Sequence, residues 1–349
     1  MYVTKKLFHN SFFVIGFVAL FGMLLVSIGY SFIRHDATPT IGLLFDNDGR
    51  PLHAPYNFQQ VPPLGTDDFS RNLLVVMIVG AKYTIGAAFF ITFLRVFPSI
   101  WIGLFIHFFL RKVERPLKSI ADALNYFPMT LLAYLILSVM LIQEARRYYV
   151  PDSLEFVQGP DPLSWQMQVV VYCVVLAVLF IPNNSILIAN EVKRISRMEF
   201  IESSRTLGAG NWWIVSKHIQ PFLVPQIVLM FLRDFIQILL LMAHLAVLGV
   251  FLGGYTKVYD VFGQPQLVSN SSEWAGLLGM WWKHLYTSYP WISFLPILFL
   301  TFLILSARAM MNGLQKELAT MDSKREPITP NQPFEKSQNV PPFERISWK

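Results

Sequence analysis

The chain has 349 residues, 54% of them hydrophobic and 14% charged, with a mean hydropathy of +0.46 and a net charge of +6. That excludes an ordinary water-soluble enzyme, because a chain of this size has too few charged residues to cover so much apolar side chain. The single cysteine, Cys173, excludes an internal disulfide framework and multi-cysteine metal centres, and Lys and Arg clustered between hydrophobic runs point to membrane orientation with no nucleic-acid partner.

In chain order, residues 1–11 read as a cytoplasmic N-terminus carrying Lys5 and Lys6. Phe12 to Ile33 is an uncharged run of 22 residues, about 33 Å as a helix and long enough to cross the hydrocarbon core. It is too long for a cleavable signal segment and reads as a retained first span. Residues 34–72, rich in Pro, Gly and Asp, read as an external loop. The apolar stretch Leu73 to Leu110 is too long for one crossing, so the charge at Lys82 suggests an interfacial helix from Leu73 to Ala81 and a second span from Tyr83 to Leu110.

After the basic cluster Arg111, Lys112, Arg115 and Lys118 comes a third span, Ala123 to Gln143, with a kink expected at Pro128. Glu144 to Asp161 is a polar external loop. The fourth span lies within Pro162 to Asn190, and the charged amphipathic segment from Glu191 to Lys217 is cytoplasmic. The fifth runs from Pro225 to about Leu252, and a loop with Trp274, Trp281 and Trp282 leads to the sixth, Leu285 to Ala307. Residues 319–349, proline-rich from Pro327 to Pro342, read as a disordered cytoplasmic tail. With six spans, 18 Lys and Arg fall inside against seven outside, which places both termini in the cytoplasm.

Three charges stand inside spans, where each costs about 2.5 to 3.5 kcal/mol on insertion scales: Arg95, Arg233 and Asp234. They are candidates for the translocation path. For Arg95, a hydrogen bond to a backbone carbonyl of another helix is an equal alternative. Arg233 and Asp234, about 100° apart on a helix, are expected to need separate partners. The tryptophans of the last loop read as packing and interface-belt residues.

The cytoplasmic segment 191–221 contains Glu202-Ser203-Ser204-Arg205-Thr206-Leu207-Gly208-Ala209-Gly210 and then Gln220-Pro221. Small residues at 203 and 204 allow close approach to another surface, and Gly208 and Gly210 suit a stop or turn with positive φ. The pattern resembles the loop of binding-protein-dependent ABC importer permeases, whose signature is Glu-Ala-Ala, three residues, Gly, and a Leu-Pro about a dozen residues on. Glu202, Gly208 and Pro221 match it; Ser203 and Ser204 replace the alanines and Gln220 the leucine.

Further elements resemble the second permease subunit of the dipeptide, oligopeptide and nickel subgroup. These are Leu64-Gly-Thr-Asp-Asp-Phe-Ser-Arg71-Asn72, Val79-Gly-Ala-Lys82, Leu248-Gly249, Glu273-Trp274-Ala275-Gly276, Pro290-Trp291 with Leu295-Pro296, and Asn312-Gly313-Leu314. Ser70 and Asn72 stand where that subgroup usually has Gly and Asp, and Met242 where it has an acidic residue. The resemblance implies an all-α integral membrane protein, a six-span permease domain over residues 12–318 of the type I importer kind, in the cytoplasmic membrane of a bacterium. It also implies a cytoplasmic coupling helix through which Glu202, Ser203, Ser204, Gly208 and Pro221 meet an ATPase. A second homologous permease subunit, two cytoplasmic ATPase subunits and an extracytoplasmic solute-binding protein are the implied partners, with peptides or related small solutes as cargo.

The chain has no Gly-x4-Gly-Lys-[Ser/Thr] loop, so ATP and Mg belong to the ATPase subunits and no cofactor is expected here. An intramembrane enzyme is the competing class. It lacks support: there is no His-Glu-x-x-His, Gly-x-Ser-x-Gly or paired intramembrane carboxylate, and His107 and His244 stand apart. A permease-like scaffold or sensor without transport activity is the remaining alternative.

Overall fold

The structure is a computed structural model, and it describes residues 10–46, 48–141, 148–149, 156–157, 163–259 and 265–323. The expected cytoplasmic N-terminus up to residue 9, most of the external loop 144–161 and the tail from residue 324 lie outside the described residues.

The first span is helix α1, Ser11–Arg34, whose start is fixed by Asn10 accepting the Phe12 and Phe13 amides. Helix α2 is Leu73–Phe108, one unbroken rod of 36 residues. The expected division at Lys82 is therefore wrong. The physical reason is electrostatic: Lys82 Nζ reaches Asp36, just past α1, at 2.5 Å and Ser31 Oγ at 2.8 Å, so its charge needs no helix end.

Helices α3, Arg111–Tyr126, and α4, Met129–Leu141, replace the expected third span and meet at 92°. Pro128 does more than kink. It holds Phe127 in an extended conformation and so ends α3 there. Helices α5, Trp165–Val178, and α6, Ile181–Ile195, form a second pair bent by 40°. The segment expected to be cytoplasmic then holds α7, Glu199–Thr206, α8, Asn211–Ile214, and a π-turn, Val215–Ile219, which runs directly into α9, Gln220–Val247. Helix α9 stops five residues before the expected Leu252, because Gly249 takes φ +84° and its amide closes on Ala246 O.

The tryptophan-rich loop is largely helical: α10, Trp274–Trp281, is followed by a 3-10 turn, Trp282–Tyr286. Trp274 and Trp281 are fully buried, so they are packing residues, not an interface belt. The last span, α11, begins at Trp291 after Pro290 and continues to Ser323, so Ala319 to Ser323 is helix where a disordered tail was expected.

Among the described residues, four helical stretches are long and apolar enough to cross a membrane, Ser11–Arg34, Leu73–Phe108, Asn211–Val247 and Trp291–Thr320; taking each bent pair as one span gives up to six. Among the described residues, three short antiparallel pairs lie in the connections: β1, Leu44–Phe45, with β2, Pro51–Leu52; β3, Tyr148–Tyr149, with β4, Phe156–Val157; and β5, Tyr255–Tyr259, with β6, Pro265–Ser269. The main core joins α1, α2, α4, α5, α9, α10 and α11, with α11 against α1 and α10 wedged between α9 and α11. Gly80 leaves the space into which the Trp274 indole fits, and Trp274 Nε1 donates to Met77 O at 2.8 Å.

Candidate functional site

Segment 191–221 is built on a small, separate apolar cluster. Ile201, the buried residue of α7, packs with Ile188, Val192 and Ile195 of α6 and with Ile214, Ile219 and Leu223. One buried side chain among eight fixes which face of α7 points outward. Glu202 and Ser203 are exposed, Ser204 is half-buried, and Leu207 is 88% exposed. The hydroxyls of Ser203 and Ser204 donate back to Glu199 O and Phe200 O, at 3.0 and 2.8 Å, which folds them against the helix and leaves a smooth surface. The Glu202 side chain makes no capping hydrogen bond to the N-cap residue Met198.

Gly208 ends α7 at φ +85°, with its amide on Arg205 O and the Ala209 amide on Ser204 O, a paired closure that satisfies two carbonyls of the last turn. Gly210 has φ −70°, so the expectation of a second left-handed glycine is corrected: it starts α8 in an extended conformation. A Cβ added at Gly208 would meet nothing within 4 Å. Pro221 sits in the first turn of α9, directly after the π-turn. Its missing N–H is harmless at a helix start, and the widened turn before it places His218 against Phe200 and Trp213.

A pocket of about 280 Å³ beside α7 is lined by Glu114, Lys193, Ser196, Arg197, Glu202 and Arg205, among others. It joins α7 to the N-terminal end of α3 and the C-terminal end of α6.

In the membrane core, Arg233 and Asp234 do pair, at 3.1 Å, contrary to the expectation from their helical spacing. The long Arg233 side chain folds back, and Asn184 of α6 bridges both: it accepts from Arg233 Nη2 at 3.2 Å and donates to Asp234 Oδ2. Asp234 is fully buried, whereas Arg233 lines a cavity of about 270 Å³ with Leu187, Glu191, Gln226 and Met311. Arg95 is fully buried, donates to Leu176 O at 2.9 Å, and lies 3.8 Å over the Phe180 ring. A carbonyl on a neighbouring helix is thus its hydrogen-bond partner. Asn184 escaped notice in the sequence; its signal was a polar pair, Asn183-Asn184, within an otherwise apolar stretch.

A cavity of about 840 Å³ is lined by Asp36, Arg71, Lys82, Tyr83, Trp165, Cys173 and Asn270, among others. Asp67 organises the loop beneath it, accepting the Phe69 and Arg71 amides and forming an ion pair with Arg71 at 2.6 Å. Burial raises the Asp67 carboxyl pKa above its ordinary value, although Arg71 opposes the shift. Ser70 has φ +59°, the conformation that explains a glycine preference there, and Asn72 caps α2 through the Leu74 and Val75 amides, a task Asp performs equally well. Met242, in place of an acidic residue, is buried in the core of α9.

Residues 87–320, from within α2 to near the end of α11, match the family of binding-protein-dependent transport system inner membrane components. The chain belongs to this family. It is a multi-pass membrane permease component of an ABC importer, and the matched region covers α7, the Asn184 network and Arg95 together.

Among curated relatives of this inner membrane component, it is 25% identical over 187 residues to a glutathione transport system permease protein of Pectobacterium atrosepticum, covering 54% of each chain. It is also 22% identical over 250 residues to a dipeptide transport system permease protein of Alkalihalophilus pseudofirmus, covering 70% of each. The chain thus spans about half the length of the first relative that it matches.

Proposed function

We propose that this chain forms half of the translocation pathway of an ATP-driven importer for peptides or related small solutes, and that α7 couples it to a cytoplasmic ATPase. The observation that carries the coupling is Ile201: buried among the isoleucines of α6, it ties α7 to a helix that enters the membrane, while Glu202, Ser203 and Leu207 remain outward. A push on the outward face is therefore delivered to α6, whose Asn184 holds the Arg233 and Asp234 pair. Relatives named for glutathione and dipeptide transport support a peptide cargo, and the cavity of about 840 Å³ has room for one.

On this reading, a second homologous permease completes the path, two ATPase subunits hold ATP and Mg, and an extracytoplasmic binding protein delivers solute. The excess of Lys and Arg in the segments between and beyond the spans supports a bacterial cytoplasmic membrane with both termini inside. Co-purification with the companion subunits, followed by uptake of labelled dipeptide and glutathione into proteoliposomes, tests the proposal. ATP-dependent uptake that is lost without the binding protein is expected. An assembled complex that hydrolyses ATP without moving either solute would overturn the transport role and favour a scaffold or sensor.

A further inference from the structure

Helix α3 is divided into faces in a way that a water-exposed linker does not require. Glu114, Leu117, Ala121 and Leu124, at spacings of three and four, lie on the side packed against α6 and α2. Asn125 and Asn183 exchange side-chain hydrogen bonds at 3.1 and 2.7 Å and fix the end of that contact. A second apolar row, Val113, Pro116, Ile120 and Ala123, follows the same spacing about 100° around the helix and is exposed, Val113 at 41% and Ile120 at 52%. Phe127, immediately after the helix, continues this row and is 63% exposed. Lys112, Arg115, Lys118 and Ser119 lie on the remaining arc, also exposed. The apolar arc is thus wider than the protein that covers it.

The angle supplies what covers the rest. Helix α4 is uncharged and is the apolar member of the bent pair that enters the membrane domain, and α3 leaves it at 92°. A helix perpendicular to a span lies in the plane of the bilayer surface. There, an apolar row on one side and basic side chains on the other match the acyl boundary and the headgroup layer respectively. Three lysine and arginine side chains against Asp122 on the open arc leave a positive surface, complementary to anionic headgroups.

From the uncovered apolar row, the perpendicular junction and the basic arc, we infer that α3 is an in-plane surface helix of the cytoplasmic leaflet that binds anionic phospholipid. It sinks Val113, Ile120 and Phe127 into the acyl boundary and holds headgroup phosphates with Lys112, Arg115 and Lys118. Because α3 also packs on α6, the bilayer surface steadies the helix that carries the docking segment.

The test uses the full-length protein with Cys173→Ala, reconstituted in vesicles of equal phosphatidylcholine and phosphatidylglycerol. A bimane fluorophore on Ile120→Cys or, separately, Ser119→Cys is read against lipids spin-labelled high in the acyl chain and against aqueous iodide. Position 120 is expected to be quenched by lipid and shielded from iodide, with position 119 the reverse. Spin-labelled phosphatidylglycerol should quench position 120 more than phosphatidylcholine does. That preference should fall about fivefold for each of Lys112, Arg115 and Lys118 changed to Gln, the equivalent of about 1 kcal/mol per cation at an anionic surface. Iodide quenching at 120 equal to that at 119 would place α3 in water. Silence to both quenchers would mean that protein covers the row, and equal quenching by the two lipids would remove the anionic preference. Each of these results overturns the inference, and none bears on whether the protein transports solute.

Discussion

Lys82 Nζ lies 2.5 Å from Asp36 Oδ1, so a cation set among apolar residues of α2 is neutralised by the residue two positions past the end of α1. The lysine side chain is 16% exposed and the aspartate 31%, so the two partners differ in their access to water. Asp36→Asn keeps a residue that tolerates the φ of +61° at this position and removes only the charge. It should destabilise the protein by about 2 kcal/mol, because the ammonium is left without its counter-charge. Lys82→Met should cost less, since Asp36 can turn to solvent. Thermal unfolding in detergent of both single variants and the double variant checks the asymmetry; equal losses would show that the pair contributes through packing alone.

In the docking segment, stability and coupling are separable by position. Ile201→Ala should cost about 2 to 4 kcal/mol by opening a cavity in the isoleucine cluster, and it should weaken coupling as α7 loosens. Glu202→Ala, on the exposed face, should leave stability unchanged within about 0.5 kcal/mol while lowering ATPase-driven uptake. Comparing melting temperature with uptake for the two variants measures this, and a Glu202→Ala protein with full uptake would remove that side chain from the coupling surface.

Gly208 provides a sharper comparison, because no neighbour lies within 4 Å of where a Cβ would stand. Substitution therefore meets only the left-handed backbone, at roughly 1 to 2 kcal/mol for Leu and less for Asn, which visits that region readily. Gly208→Leu is expected to insert and melt slightly lower, yet couple poorly to the ATPase, and Gly208→Asn should recover most of the lost uptake. Identical uptake by both variants would separate coupling from the geometry of this turn.

Glu273 caps α10, accepting the Ala275 and Gly276 amides at 2.6 and 2.7 Å in a fully buried position. Burial pushes its carboxyl up to about 7 from an ordinary 4.5, against the opposing pull of the two amides. The folded protein then retains a proton that the unfolded chain has already released. Stability accordingly falls as pH rises from about 4.5 through about 7, by an amount of order 3 kcal/mol, and levels off above. Glu273→Gln should flatten that slope while keeping one cap hydrogen bond. Unfolding midpoints across that pH range provide the measurement, and an unchanged slope in the variant would assign the dependence to another group.

Asn184→Leu should destabilise by about 2 kcal/mol or more, since it takes a donor from buried Asp234 and an acceptor from Arg233 at once. The fall in uptake should exceed the fall in assembled complex. Wild-type uptake would exclude the bridge from the transport cycle.

The uncharged runs and the motifs around Glu202, Gly208 and Pro221 determined the membrane class and the permease family from sequence alone. Hydrocarbon thickness and the cost of charge in lipid act on short stretches of chain, so they leave a local record. Span boundaries and charge partners were decided only by the tertiary structure. Lys82 read as a break because Asp36, 46 residues earlier, was invisible to any local window. Arg233 and Asp234 read as unpaired because helix geometry describes backbone directions, whereas a long guanidinium can fold back and an asparagine on α6 can join both. The tryptophans of α10 were buried by the space left at Gly80 and by the contact with α9, neither of which is written next to them. The right-angled turn after α3 had its local mark in Pro128. Only the packing of Ala121 and Leu124 on α6 decided which part of that helix remained uncovered.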